Sequence, residues 1–205
     1  LRPFSRRRTG SAPLFAPGLP DLPRKIAFLV QEEPLGFGHA VWLARRFVGE
    51  GPFLVLLGDH VHVPRPGAEA CAAQVARAFA RHGGAAMVGM QAVGAEELPR
   101  VGVAGGAPLG PGGSGVYRCM DFVEKPDLAT ARRRLRTPGL KRDCFLAHCG
   151  IYAFDAEIFD CIEELMSSEA VPRAARGGGR ARAQAGERKE VQLADAQSIL
   201  LRRRP

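Results

Sequence analysis

Aromatic residues are scarce in this chain, at 7% of 205 residues with one Trp and two Tyr. A folded single-strand nucleic-acid binder interleaves aromatic stackers with its cations, so the formal charge of +8 is not read as a nucleic-acid surface. Much of the excess is concentrated at Arg6-Arg7-Arg8, Arg132-Arg133-Arg134, Arg173 to Arg182 and Arg202-Arg203-Arg204, and three of these four clusters lie in tails or in low-complexity sequence. No apolar run approaches the roughly 20 residues of a membrane helix. The N-terminus lacks the contiguous apolar stretch of a secretory signal. The five cysteines, at 71, 119, 144, 149 and 161, form no CxxC pair and show no zinc spacing with histidine, which argues for reduced, buried thiols of an intracellular protein. No acidic residue precedes Asp21, and the Arg-, Ser- and Pro-rich start loosely resembles an organellar transit sequence. The chain opens at Leu1 rather than Met, so a fragment is the plainer expectation, with the cytoplasm as compartment and an organelle as the alternative.

With 46% apolar residues, the chain has the composition and length of one ordinary domain. Ile26 to Val30 reads as a strand, and after a glycine turn Ala40, Val41, Ala44, Phe47 and Val48 recur at helical spacing. Phe53 to Leu57 lacks polar alternation, the mark of a strand covered on both faces. Gly67 to His82 reads as a helix and Ala85 to Met90 as the next strand. This alternation favours a parallel, doubly wound α/β sheet over a sandwich or a bundle.

Arg100 to Ala104 and Val116 to Val123 read as strands of a hairpin around the Gly- and Pro-rich loop 105–115. Asp127 to Arg136 has the composition of a solvated helix. Phe145 to Phe154 is a long apolar strand, followed by Asp155 as N-cap of a helix burying Ile158, Phe159, Ile162 and Leu165. A Gly/Arg/Ala segment without apolar period at 173–186 is expected to be a disordered insertion. A last helix is expected at about 190–201. The division expected is an irregular segment 1–24, a main domain 25–170, the insertion 171–187 and a closing helix within 188–205.

The chemistry concentrates in Gln31-Glu32-Glu33-Pro34-Leu35-Gly36-Phe37-Gly38-His39 and in the strand ending at Asp59. Glycines at 36 and 38 allow a ligand to approach backbone amides at a helix start. A carboxylate at a strand end can hold a hard cation over phosphates. Read alone, Gln31 is a solvated glutamine, the GxG is structural, and Asp59 is equally a turn residue.

Together with Asp121-Phe122-Val123-Glu124-Lys125-Pro126 and Gly150-Ile151-Tyr152-Ala153-Phe154, these motifs resemble the sugar-1-phosphate nucleotidyltransferases, most closely the bacterial-type UTP-glucose-1-phosphate uridylyltransferases. Arg136-Thr137-Pro138-Gly139-Leu140 and Glu190-Val191-Gln192-Leu193 echo the same family, and the resemblance covers about residues 25–200 outside the insertion. It implies a Rossmann-like, doubly wound mixed sheet and transfer of a uridylyl group from UTP to glucose 1-phosphate, with release of pyrophosphate and help from Mg2+. By that resemblance Gln31 reads the base, Gly36 and Gly38 meet base and ribose, and Asp59 is the metal ligand. Gly102, Glu124 and Lys125 hold the sugar phosphate, with Asp59 and Lys125 the catalytic pair. Pro126 is expected to press Lys125 into an extended conformation.

The family's opening glycine-rich loop with its Arg and Lys has no counterpart in 1–24, so an N-terminally truncated chain with little turnover is expected. Another nucleoside triphosphate or sugar, an inactive fragment, and a basic RNA-associated protein are the alternatives. Self-association into a homo-oligomer is left open.

Overall fold

The computed structural model describes residues 26–110, 115–168 and 190–204. Both the irregular start expected at 1–24 and the insertion expected at 171–187 lie outside them. The chain divides into a unit Leu1–Pro34 and a unit Leu35–Pro205. In the first, residues 26–30 form no strand, and Phe28 is 77% exposed. A strand exists only where a neighbour takes its backbone hydrogen bonds, so apolar composition alone does not make one.

The second unit is organised by one long strand. Its elements in order are α1 (Phe37–Leu43), α2 (Arg45–Val48), β1 (Phe53–Leu56), α3 (Cys71–His82), β2 (Ala86–Gly94), β3 (Gly102–Pro108), β4 (Tyr117–Glu124), α4 (Leu128–Arg134), β5 (Cys144–Phe154), α5 (Glu157–Ser167) and α6 (Leu193–Arg203). A 3-10 segment, Ala95–Arg100, joins β2 to β3. The expected hairpin is present as β3 and β4, paired Gly102 to Glu124 and Pro108 to Tyr117.

The α/β architecture stands, but the parallel pairing inferred from strand-helix-strand order does not occur among the described residues. β1 and β2 run in the same direction, and β5 lies between them, antiparallel to both. β5 comes from a distant part of the sequence, so local order cannot reveal it.

β2 follows β5 along nearly its whole length. The other edge of β5 is shared: β1 pairs with Ile151 to Phe154, and β3 with Leu146 and Ala147. Between these partners the strand is irregular. Val88 faces Tyr152 while Met90 faces His148, so β5 carries extra residues around Cys149 and Gly150, a bulge.

Two cores flank this irregularity. One gathers Tyr152 and Phe154 with Ile158, Phe159 and Ile162 of α5 and Leu193, Ala196, Ile199 and Leu200 of α6. Burial of each large apolar side chain in that set stabilises by about 1.5–3 kcal/mol. The other gathers Phe145 with Leu98, Val103, Ala131 and Leu135. The expected buried face of α5 is found, with Leu165 packed at its margin, and Asp155 accepts the Glu157 N–H at 3.0 Å as a cap does. Asp127 caps α4, its Oδ1 accepting the Thr130 N–H at 2.6 Å.

β1 departs from its expected environment. Only one of its faces is covered: Phe53 and Val55 pack on the core, whereas Leu54 is 39% and Leu56 52% exposed.

Candidate active site

Because β1 and β3 share one edge of β5 without meeting, the sheet opens between them, with residues 148–150 at the base of the opening. Asp59 stands on one side and Gly102, Glu124 and Lys125 on the other. Crevices of this kind, where neighbouring strands diverge, are where α/β sheets bind ligands.

Asp59 is exposed in a turn closed by the His60 N–H bond to the Leu57 carbonyl at 3.3 Å. The turn is tied to β5 twice. Leu57 N–H donates to Gly150 O at 3.0 Å, and the His60 ring lies with Nδ1 3.0 Å from the Cys149 carbonyl oxygen, which can only accept. Gly150 has φ 79, and a Cβ there would lie 2.5 Å from His60 Nδ1. The bulge glycine therefore seats His60, and His60 orients the Asp59 turn. No motif in the sequence marked that role.

On the opposite side, Gly102 faces Glu124 across the hairpin. A Cβ at Gly102 would meet Glu124 Oε2 at 2.6 Å and the Phe122 ring at 2.7 Å, so the missing side chain makes room for both. Partial desolvation raises the Glu124 carboxyl above its ordinary range, Lys125 opposes the shift, and Asp195 on α6 adds to it.

Lys125 donates its N–H to Val101 O at 3.1 Å and then adopts φ 48. The extended conformation expected before Pro126 is thus not found. The chain has to turn from the β4 ladder into the Asp127 cap within two residues, and buried Pro126 fixes the exit. Left-handed backbone at a non-glycine residue costs on the order of 1–3 kcal/mol and is concentrated at functional sites.

His148 and Tyr152 line the base. The His148 ring stacks on Phe122 with centroids 4.5 Å apart and lies 3.4 Å from the Tyr152 hydroxyl. Burial pulls the imidazole down to about 4, so it is neutral near pH 7. Tyr152 is pushed up to about 12 by burial first, then by Glu124 and Cys149.

Gly36 and Gly38 enter from α1. Gly36 has φ 101, and a Cβ at either glycine would come within 2.8 Å of the Val191 carbonyl oxygen. Val191 is held by both sides of the turn: its N–H donates to Leu35 O at 2.8 Å, and its carbonyl accepts the Gly38 N–H at 2.8 Å. The Gly38 amide, expected to face a ligand, is therefore engaged within the chain. Phe37 then contacts Tyr152, with ring centroids 6.5 Å apart. Val191, just before α6, and Asp195, in its first turn, thus join the glycine turn to the Glu124 side, a link that no spacing in the sequence announces. Gln31 belongs to the first unit, half-buried in a segment without regular structure.

The sheet thus opens between a strand-end carboxylate and a Glu-Lys pair within an α/β fold. A family profile described as Nucleotidyl transferase matches residues 16–196, and the chain belongs to that family. It is 37% identical over 140 residues to UTP--glucose-1-phosphate uridylyltransferase of Bacillus subtilis (strain 168), covering 68% of this chain and 41% of that protein. A second relative from the same organism, UTP--glucose-1-phosphate uridylyltransferase YngB, is 30% identical over 181 residues, covering 88% of this chain and 48% of that one. A UDP-glucose pyrophosphorylase crystallised with UDP-glucose shares the fold at TM-score 0.61 and 24% identity, over 85% of this chain and 53% of that one. A UTP-bound UGPase from Acinetobacter baumannii does so at TM-score 0.56 and 24% identity, over 84% of this chain and 47% of that one. The chain thus spans about half the length of the proteins it matches. No helix among the described residues is long and apolar enough to cross a membrane.

Proposed function

We propose that this chain carries residues of a site that transfers a uridylyl group from UTP to glucose 1-phosphate. A phosphate oxygen of the sugar 1-phosphate attacks the α-phosphorus in line, the bond from that phosphorus to the bridging oxygen breaks, and pyrophosphate leaves with the electron pair. Two polyanions must meet, so the demands are alignment and charge neutralisation.

The observation that carries the reading is the Gly102-Glu124-Lys125 arrangement: a glycine vacated for a carboxylate, next to a lysine held at φ 48. In the proposal Glu124 accepts hydrogen bonds from sugar hydroxyls, Lys125 meets the sugar phosphate, the turn at Gly36 and Gly38 borders the nucleotide, and Gln31 reads the base. Partial desolvation of Glu124 strengthens the hydrogen bonds it accepts.

Mg2+ is usually held by one or two carboxylates together with waters and substrate phosphates. The exposed carboxylate of Asp59 fits that mode, and among the described residues no group of three or more His, Cys, Asp or Glu forms an all-protein cage. Asp59 would hold the ion, which when bound neutralises phosphate charge.

The test is formation of UDP-glucose and pyrophosphate from UTP and glucose 1-phosphate. It is run with the 205-residue chain and with a fusion placing the N-terminal segment of the Bacillus subtilis relative ahead of residue 25. Product from either, lost in Asp59→Ala and Lys125→Ala, supports the reading. Product from neither, or full activity in Asp59→Ala, sinks it.

A further inference from the structure

A concave site lies at the far end of β5 from its bulge. After α4 the chain loops back to the start of β5 around a cavity of about 170 Å3, lined by Arg132, Arg136, Lys141 and Arg142 with Thr137 and Asp143. Cys144 and His148, at the base of the sheet opening, are four strand steps apart, about 13 Å at 3.3 Å per residue, and neither Glu124 nor Lys125 lines this cavity, so the two sites are distinct.

The loop is pinned. Leu135 is fully buried, and Thr137 is buried with its Oγ1 accepting the Gly106 N–H at 3.1 Å. Leu140 N–H donates to Thr137 O at 3.3 Å, and Cys144 N–H to Lys141 O at 3.1 Å. Asp143 is held at φ 59 and gripped by both donors of Arg132, at 2.8 and 2.7 Å. The backbone that carries the charges is therefore fixed before any ligand arrives, which lowers the ordering cost of binding to that of the exposed Arg136, Lys141 and Arg142 side chains.

Four cations against one carboxylate leave three positive charges on the lining. Arg132 answers Asp143, while among the described residues Arg136, Lys141 and Arg142 form no close ion pair. Their mutual repulsion is relieved by an anion, and guanidinium forks match phosphate oxygens. The volume lies below the roughly 300–1,000 Å3 of sites for larger ligands, which favours a small anion over a whole nucleotide. Phe145, the aromatic of the lining, is only 1% exposed and cannot stack a base, which disfavours a nucleic-acid strand.

We propose that this pocket binds a small phosphate anion, inorganic phosphate or pyrophosphate, at a site separate from the nucleotidyl-transfer cleft. The test is isothermal titration of the 205-residue chain with sodium phosphate and, separately, sodium pyrophosphate at fixed ionic strength. Saturable one-to-one binding is expected, weakened at least tenfold in Lys141→Ala/Arg142→Ala and in the single variant Arg136→Gln. Affinity is expected to stay within twofold in Lys125→Ala and in Arg133→Ala, which removes a charge from α4 outside the lining. The tighter of the two anions names the ligand. The proposal is overturned by absence of saturable binding, by an equal loss in Arg133→Ala, or by a loss confined to Lys125→Ala. It is equally overturned if a uridine 20-mer binds more tightly than either anion and loses that binding in the same pocket variants.

Discussion

The glycines at 36 and 38 and the glycine at 102 look alike in sequence, but different neighbours require them. At 36 and 38 the vacated space is filled by the backbone of Val191, which cannot move without unpicking two hydrogen bonds. At 102 it is filled by the end of the Glu124 side chain and the Phe122 ring. The first pair of glycines is a packing device that fastens the segment before α6 onto α1. The second is a positioning device, since what it makes room for is a carboxylate at the mouth of the sheet opening. A glycine motif near a proposed site therefore carries functional meaning only once its neighbour is known.

Four measurements test this contrast. Gly38→Ala is expected to do the most damage, because a Cβ would meet backbone at 2.8 Å and the Val191 bond would be strained. Overpacking and loss of that bond together cost at least about 3 kcal/mol, read by chemical denaturation, and a loss below about 1 kcal/mol would remove the packing role.

A comparable effect is expected from acid on the Gly102 side. His148, stacked on Phe122, has its pKa lowered from 6.5 to about 4. Below pH 6.5 the unfolded chain takes up a proton that the folded chain refuses, so stability is fully present above pH 6.5 and falls as pH drops toward 4. The loss amounts to about 3 kcal/mol. His148→Asn should flatten that part of the stability profile, and an unchanged slope would contradict the burial argument.

Gly102→Ala should cost about 1–3 kcal/mol of stability, because the Glu124 carboxylate end can swing aside but the Phe122 ring, 2.7 Å from the added Cβ and stacked on His148, has to shift. Under the proposed function it should also raise the KM for glucose 1-phosphate at least tenfold in the fusion protein. An unchanged KM would make Gly102 a packing residue like Gly38.

The smallest expected change has the opposite sign. Lys125→Gly relieves a left-handed backbone and should stabilise the fold by about 1 kcal/mol while UDP-glucose formation falls more than tenfold. A variant both more stable and equally active would show that the strained lysine serves nothing.

Much of the fold was legible because its signals are local. The buried stripe of α5, the Asp127 cap, the β3-β4 hairpin and the extent of β5 each follow from periodicity or turn chemistry within a dozen residues. Pairing partners were not legible, because β1 meets β5 across about half of the chain and composition does not record which strands adjoin. Ile26 to Val30 has the composition of a strand but forms none, and the backbone of Lys125 followed the turn into α4 rather than the preference imposed by Pro126. Of the motif residues, Asp59, Gly102, Glu124 and Lys125 lie beside the opening of the sheet, and their roles there belong to the proposed function. The contacts of His60, Tyr152, Val191 and Asp195 were not legible, since each meets a partner remote in sequence, even though Tyr152 and Val191 stand within the motifs.

The shared edge of β5 also sets a timetable. Phe53 pairs with Phe154, 101 positions later, and β2 awaits the same strand. At about 5–20 residues per second of synthesis, the neutral Phe53-Leu54-Val55-Leu56 segment is made roughly 5–20 s before its partner exists. Among the described residues β5 is the partner of β1, so for that interval β1 is an uncharged apolar strand without that partner, the kind of segment that pairs with whatever strand it meets. The nascent chain is thus open to such mispairing between the synthesis of β1 and that of β5.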